Sequence, residues 1–166
     1  MPLLLRRVHR GKWLPGAGEG QRPDDEVAAE DFEDPDNEIS VWEVDAERSN
    51  LNRVVAAIAG RRDHLSDLHY VLFDSVLVTN LAINIANGDG DTRDHYANVT
   101  WHRNLINASP PQILTLVPAI KALKPGDPAT RLRGEKDVLP LLKQAVMDGW
   151  MRAEDLSPNL QRRLVH

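Results

Sequence analysis

The acidic charge of this chain is concentrated in one short segment. Thirteen of the 25 Asp and Glu residues lie between Glu19 and Glu47, where Arg22 is the only cation. The rest of the chain has 19 Lys and Arg against 12 Asp and Glu, so the net charge of −5 conceals an acidic segment joined to a basic body. Blocks of like charge repel themselves and attract partners of opposite sign. The segregation therefore predicts a protein partner with a basic surface.

Length and composition indicate a single soluble domain. The chain has 166 residues, of which 42% are hydrophobic and 27% charged, as is usual for a globular protein with one core. It has no cysteine, which excludes disulfides and thiolate metal sites. Residues 1–7 contain three successive leucines, too few for a signal peptide or a membrane span. We therefore expect a cytoplasmic protein without a membrane partner.

The hydrophobic pattern predicts an α/β fold, with α+β as the alternative. Alternation at 38–44, a helical period at 50–62 and an apolar run at 68–73 predict a βαβ unit with two parallel strands. We expect a small mixed sheet of about three to five strands. Residues 75–86 fit both periods, and we favour strand or mixed structure there, with a further short strand within 96–106. The expected organisation of the single domain 1–166 is a leading strand in 1–13, an acidic loop or arm in 14–37, an α/β core in 38–106 and a helical tail in 109–166.

The tail is predicted to consist of helices. Ser109 followed by Pro110 is a typical helix start, and the apolar face that follows continues to about residue 124. Pro118 lies inside this pattern, so we expect a kink or an early break there. Further helices are predicted over 135–150 and 153–165.

One cluster of residue types could support catalysis. Asp94, His95, His102 and Arg103 combine a general base, a carboxylate to orient it and a cation for an anionic group. Ordinary surface or hydrogen-bonded histidines explain the same residues. The spacing does not decide between the two interpretations, because two histidines seven positions apart share a face on a helix and not on a strand. Phosphate loops, dinucleotide fingerprints and nucleophile elbows are absent, and we expect no cofactor.

A turn at residues 87–94 partly matches a calcium loop. Asn87, Asp89 and Asp91 alternate as its oxygen ligands do, but Thr92 stands at the glycine position and Asn98 at the bidentate glutamate position. We therefore interpret the segment as an acidic turn and predict no metal site.

Basic residues near the start form a candidate anion-binding patch. Arg6, Arg7 and Arg10 supply positive charge, and Trp13 follows them as aromatics do in nucleic-acid sites. The acidic segment begins a few residues later, so patch and segment could instead pair with each other. Nucleic acid is accordingly the less favoured partner.

Two hypotheses of function follow. The favoured one is a small interaction protein, an accessory, adaptor or neutralising subunit of a bacterial-type multi-protein system, that is not an enzyme. Its acidic arm and exposed tryptophans would contact the partner, because tryptophan is enriched at interface hot spots. The expected contact residues are Asp24, Asp25, Glu26, Glu30, Asp31, Trp13 and Trp150, and neutralising the five acids should weaken binding without lowering stability. The alternative is a small hydrolase or nuclease-like enzyme on a phosphorylated or nucleic-acid substrate, using the Asp94 to Arg103 cluster.

Overall fold

The computed structural model describes residues 1–14 and 24–166, and places a six-stranded sheet between two layers of helices. The strands are β1 Leu3–Arg7, β2 Glu38–Val44, β3 Leu68–Asp74, β4 Asn84–Asn87, β5 His102–Ile106 and β6 Thr130–Leu132. The α-helices are α1 Arg10–Trp13, α2 Asp25–Ala29, α3 Leu51–Gly60, α4 Ser75–Asn80, α5 His95–Trp101, α6 Pro110–Leu123, α7 Leu139–Met147 and α8 Pro158–Val165. Short 3-10 or π turns occupy Glu30–Phe32, Gly134–Val138 and Ala153–Asp155. The prediction of a mixed α/β fold is confirmed.

The sheet has the order β4-β5-β2-β1-β3-β6, and each neighbouring pair is antiparallel. Because β2 and β3 both run antiparallel to β1, they run parallel to each other with β1 between them. The predicted crossover through α3 is therefore present, but its two strands do not pair. The expectation of a mixed sheet with three to five strands was wrong. The described residues form six strands, and the edge strands β4 and β6 are only four and three residues long.

Alternate residues of each strand contribute to two separate cores. Leu4 and Phe73 face one side, where they pack with α2, α4 and α6. Leu5 and Tyr70 face the other side, where they pack with α3, α5, α7 and α8. A strand buried on both faces reads as a continuous apolar run, which explains the pattern at Leu68–Asp74.

The acidic segment is folded where the structure describes it. Residues 15–23, which include Glu19 and Arg22, lie outside the described residues. From Asp25 onward the chain forms α2 and then a 3-10 turn, and both contribute side chains to the core below α6. Ala28, Ala29 and Phe32 lie within about one helical turn, and this gives the segment a buried face. The expected loop over 14–37 was therefore wrong from Asp25 to Phe32.

Residues 75–106 combine helix and strand. Asp74 accepts a hydrogen bond from the N–H of Val76 at 2.9 Å and caps α4, which precedes β4. Mixed structure over 75–86 is therefore what the chain forms. The short strand that we expected within 96–106 is β5, which directly follows α5.

The tail is mainly helical, but the prediction of a helical tail over 109–166 missed β6, Thr130–Leu132, which pairs with β3. Ser109 and Gln112 form a capping box, and α6 begins at Pro110. It continues through Pro118 to Leu123, so the helix does not break there, and the other expectation, a kink at Pro118, stays a prediction. The helix predicted over 135–150 is a π turn followed by α7, and Gly149, with φ of 71°, follows the helix end.

Candidate functional site

Asp31 ties the acidic segment to the first residues of the chain. Its carboxylate, which is 3% exposed, accepts hydrogen bonds from the backbone N–H of His9 at 2.9 Å and from Nε1 of Trp13 at 2.8 Å. Nδ1 of His9 donates to the other carboxylate oxygen at 2.6 Å. The backbone carbonyl of Asp31 accepts two further bonds from the guanidinium of Arg6, at 2.9 and 2.7 Å. Asp31 is thus a structural centre and is unavailable to a partner.

Two other acids of the segment also have partners within the chain. Glu30 lies 2.8 Å from Nζ of Lys12, and Asp25 lies 2.8 Å from Nζ of Lys121 on α6. The contacts of Glu30 and Asp31 therefore form the alternative in which the acidic segment pairs with the basic start, whereas Asp25 pairs with the tail.

Three of the other acids line a groove with an apolar floor. The salt bridges of residues 24–38 use Asp25, Glu30 and Asp31, and Glu26, Glu33 and Asp34 are among the acids without one in the described chain. These three carboxylates, together with the ion pair of Lys12 and Glu30, border a cleft of about 990 Å³ between the acidic segment and the start of α6. Its apolar lining consists of Ala29, Phe32, Pro35, Ala108, Pro110, Ile113 and Leu114. We call this cleft the acidic groove.

Neither of the two tryptophans expected at the partner contact is fully exposed. Trp13 is 1% exposed, because its ring packs against Phe32 and its N–H is satisfied by Asp31. Trp150 is partly buried, with the guanidinium of Arg53 at 5.3 Å from its ring centre. The tryptophans therefore stabilise the fold, and the large apolar side chain that is exposed in the acidic groove is Leu114.

The four residues of the predicted catalytic cluster are separated by the fold. Asp94 is fully buried, caps α5 through the N–H of Ala97 at 3.0 Å, and accepts a bond from Nε of Arg53 at 2.6 Å. The same guanidinium lies 4.5 Å from the ring centre of Tyr96. Asp94 is thus committed to an ion pair that anchors α5 to α3, and it does not orient a histidine.

The other members of that cluster point in different directions. His95 is exposed in the first turn of α5. Arg103 follows His102 on β5, so the two side chains leave opposite faces of the sheet. Nε of Arg103 lies 3.1 Å from a carboxylate oxygen of Glu43. Of the four residues, His102 is the one that lines a cleft.

His102 forms a pair that sequence reasoning missed. Its Nε2 lies 2.6 Å from Oγ of Ser40 on the neighbouring strand. Its Nδ1 is buried without a hydrogen-bond partner, and Gly88 lies so close that an added Cβ would be 2.5 Å from it. Burial lowers the pKa of His102 below its ordinary value, opposed by the backbone contact with Gly88 and the charge of Asp91.

The His102 and Ser40 pair lies in a second cleft, of about 510 Å³, beside the basic start of the chain. We call it the basic cleft. Arg7 and Arg62 line it, and neither forms a salt bridge with any described residue. The guanidinium of Arg62 donates instead to the backbone carbonyl of Asp67 at 2.8 Å. Burial, and then the charge of Arg7, lowers the pKa of Arg62.

The predicted anion patch is only partly available. Burial lowers the pKa of Arg6, whose guanidinium is occupied by backbone carbonyls, including that of Ser40 at 2.6 Å. Arg7 and Arg10 are exposed. Arg62 is the member that the pattern did not reveal, because it follows α3 and reaches this place only through the crossover.

The acidic turn at 87–94 does not gather metal ligands. Asp91 lies 2.7 Å from a guanidinium nitrogen of Arg61. Across residues 1–14 and 24–166, no group of three or more His, Asp or Glu side chains is arranged as metal ligands would be.

Comparison with protein-family models, curated proteins and solved structures finds no match for this chain. None of the helices in the described part of the chain combines the length and apolar character needed to cross a bilayer.

Proposed function

We propose that this protein is an interaction module that binds a basic, amphipathic segment of a partner protein in the acidic groove. The observation that carries the proposal is the combination of an apolar floor with an acidic border in one cleft. A helix with leucine-type residues on one face and Lys or Arg at its edges matches both features, as in other helix-in-groove complexes. The accessory or adaptor role expected from charge segregation is consistent with such a site.

The acids divide into two groups with different roles. Asp25, Glu30 and Asp31 hold the segment against the sheet and α6. Glu26, Glu33 and Asp34 border the groove without salt bridges among the described residues, so their charge remains to attract a cation. Charged borders increase association rates and specificity, while the buried apolar contacts supply most of the affinity.

Fluorescence anisotropy with a labelled lysine and leucine peptide, patterned as an amphipathic helix, tests the proposal. We expect saturable binding that weakens with salt, and none by the same peptide with glutamate in place of lysine. Leu114→Asp should reduce affinity about tenfold or more, since it replaces a leucine contact by a charge.

The matched control is Leu123→Asp on the same helix. Leu123 is also exposed but does not line the groove. Equal effects of Leu114→Asp and Leu123→Asp would contradict the proposal, because a general charge effect would then explain both. Replacing Glu26, Glu33 and Asp34 by amides should weaken binding at low salt and much less at high salt.

The hydrolase alternative is not part of this proposal. It requires Asp94, His95, His102 and Arg103 to act on one substrate, and Asp94 and Arg103 are paired with Arg53 and Glu43 instead.

A further inference from the structure

We infer that the basic cleft binds the phosphoryl group of a small phosphate ester, held by Arg7 and Arg62 beside the Ser40 hydroxyl. The basic cleft adjoins the acidic groove and shares Lys12, Glu30 and Glu33 with it. Arg7, Ser40, Arg62 and His102 line the basic cleft and not the groove, so the inference does not depend on the function proposed above. The inference rests on three observations. Arg7 and Arg62 have no salt bridge with a described residue, Ser40 and His102 are hydrogen-bonded to each other, and three of the acids in the cleft are bound to other cations.

Arg7 and Arg62 have no salt bridge with a described residue, whereas Lys12 and Arg61 in the same cleft each have one. Arg7 has no side-chain hydrogen bond or salt bridge within the described chain, and its charge acts on both Arg6 and Arg62. Arg62 uses one guanidinium nitrogen on the carbonyls of Ser66 and Asp67, so its other N–H groups remain for a ligand. Two guanidiniums at one cleft repel each other, and a doubly charged anion between them removes that cost.

The nearby carboxylates do not neutralise this pair. Glu30 is bound by Lys12, Asp31 by His9, and Asp91 by Arg61 at 2.7 Å. Glu33 and Asp63 also line the cleft and have exposed side chains without a salt bridge to a described residue. Their charge opposes the entry of an anion, so a phosphoryl group must be held by direct contacts at Arg7 and Arg62.

Ser40 and His102 give the cleft a neutral polar wall. Ser40 Oγ and His102 Nε2 are 2.6 Å apart, and His102 is 6% exposed. Burial lowers the pKa of His102 and so favours the neutral imidazole. The Nε2 atom of the neutral ring can donate a hydrogen bond to the Ser40 hydroxyl or accept one from it, and this contact orients the hydroxyl. Trp42 and Ile58 line the same cleft and supply an apolar surface for the organic part of an ester. The volume of about 510 Å³ suits a small ligand.

The test uses NMR titration of the isotope-labelled chain with inorganic phosphate, phenyl phosphate and sodium chloride at matched ionic strength. We expect saturable shifts at Arg7, Ser40, Arg62 and His102 with the phosphates and none with chloride. Binding of phenyl phosphate tighter than that of inorganic phosphate supports an ester as the ligand. Equal binding overturns the ester and leaves free phosphate as the source of the phosphoryl group.

Arg7→Gln and Arg10→Gln form a matched pair of variants. Both side chains are exposed and both changes remove one positive charge, but only Arg7 lines the cleft. Arg7→Gln should weaken phosphate binding about tenfold, as the loss of a charge-assisted contact does. Arg10→Gln should leave it within about twofold. Equal weakening by the two variants, or shifts that never saturate, would overturn the inference.

Discussion

Replacing Asp31 should destabilise the protein far more than replacing any neighbouring acid. Asp31→Ala removes the acceptor for the N–H of His9 and for Nε1 of Trp13, and the Trp13 side chain is 1% exposed. A hydrogen bond to a charged group contributes about 1.5–3 kcal/mol, and a buried donor left without an acceptor loses a similar amount. Two such donors give an expected loss of about 4 kcal/mol in the free energy of unfolding.

Asp31→Asn provides a graded version of the same experiment. The amide keeps one oxygen as an acceptor but loses the negative charge beside His9 and Lys12. We expect a loss of about 2 kcal/mol. The matched control is Asp36→Asn in the same segment, because Asp36 is exposed and accepts no side-chain bond from a described residue.

Urea unfolding followed by far-UV circular dichroism measures these differences without depending on the fluorescence of Trp13. The control should change the free energy of unfolding by about 0.5 kcal/mol or less. A loss below about 1 kcal/mol for Asp31→Ala would refute the reasoning, because the buried donors would then have found other acceptors. The contacts of Asp31 contradict the sequence-based expectation that all five acids can be neutralised without cost, which stays a prediction for Asp24 and Glu26.

Three further predictions concern the region around β5. Gly88→Ala should cost about 1–3 kcal/mol in urea unfolding because its Cβ would meet Nδ1 of His102 at 2.5 Å, whereas Gly11→Ala, with open space around it, should be nearly neutral. Burial lowers the pKa of His102 below 6.5, so the unfolded chain binds the proton first and His102 should lower stability between pH 7 and 5, by at most about 1.4 kcal/mol per pH unit; burial also lowers the pKa of His69, which adds a slope of the same sign. His102→Gln should flatten that slope in parallel urea titrations, and an unchanged slope, or an equal change in His95→Gln, would contradict the assignment. Asp94→Ala should cost about 3 kcal/mol, measured by thermal and urea unfolding, since it removes the cap of α5 and leaves the partly buried Arg53 without its carboxylate partner; a near-neutral result would mean that the pair contributes little.

The elements that the sequence predicts well are those specified by local signals. The alternation of β2 and the Ser109 and Pro110 start of α6 depend on neighbouring residues alone. α4 was harder, because its apolar residues satisfy both periods. Asp74, which caps α4, was the local signal for a helix start that the periodicity obscured.

Features set by distant contacts could not be predicted in this way. The insertion of β1 between β2 and β3 depends on pairings 37 to 71 residues apart, such as Leu4 with Glu43 and with Phe73. The burial of Asp31 depends on donors 18 to 25 positions earlier in the chain. The contact between Ser40 and His102 joins residues 62 positions apart. An acid or a serine in a sequence carries no sign of such partners.

The central position of β1 affects how the chain folds while it is being made. β1 is translated before the other strands, yet both of its edges stay unpaired until β2 and then β3 have been synthesised. Synthesis at about 5–20 residues per second needs roughly 3–12 s to cover the interval between β1 and β3. During that time a leucine-rich strand with at least one open edge is available to chaperones and to other nascent chains. Slower translation before residue 68 would lengthen this interval and increase aggregation on the ribosome.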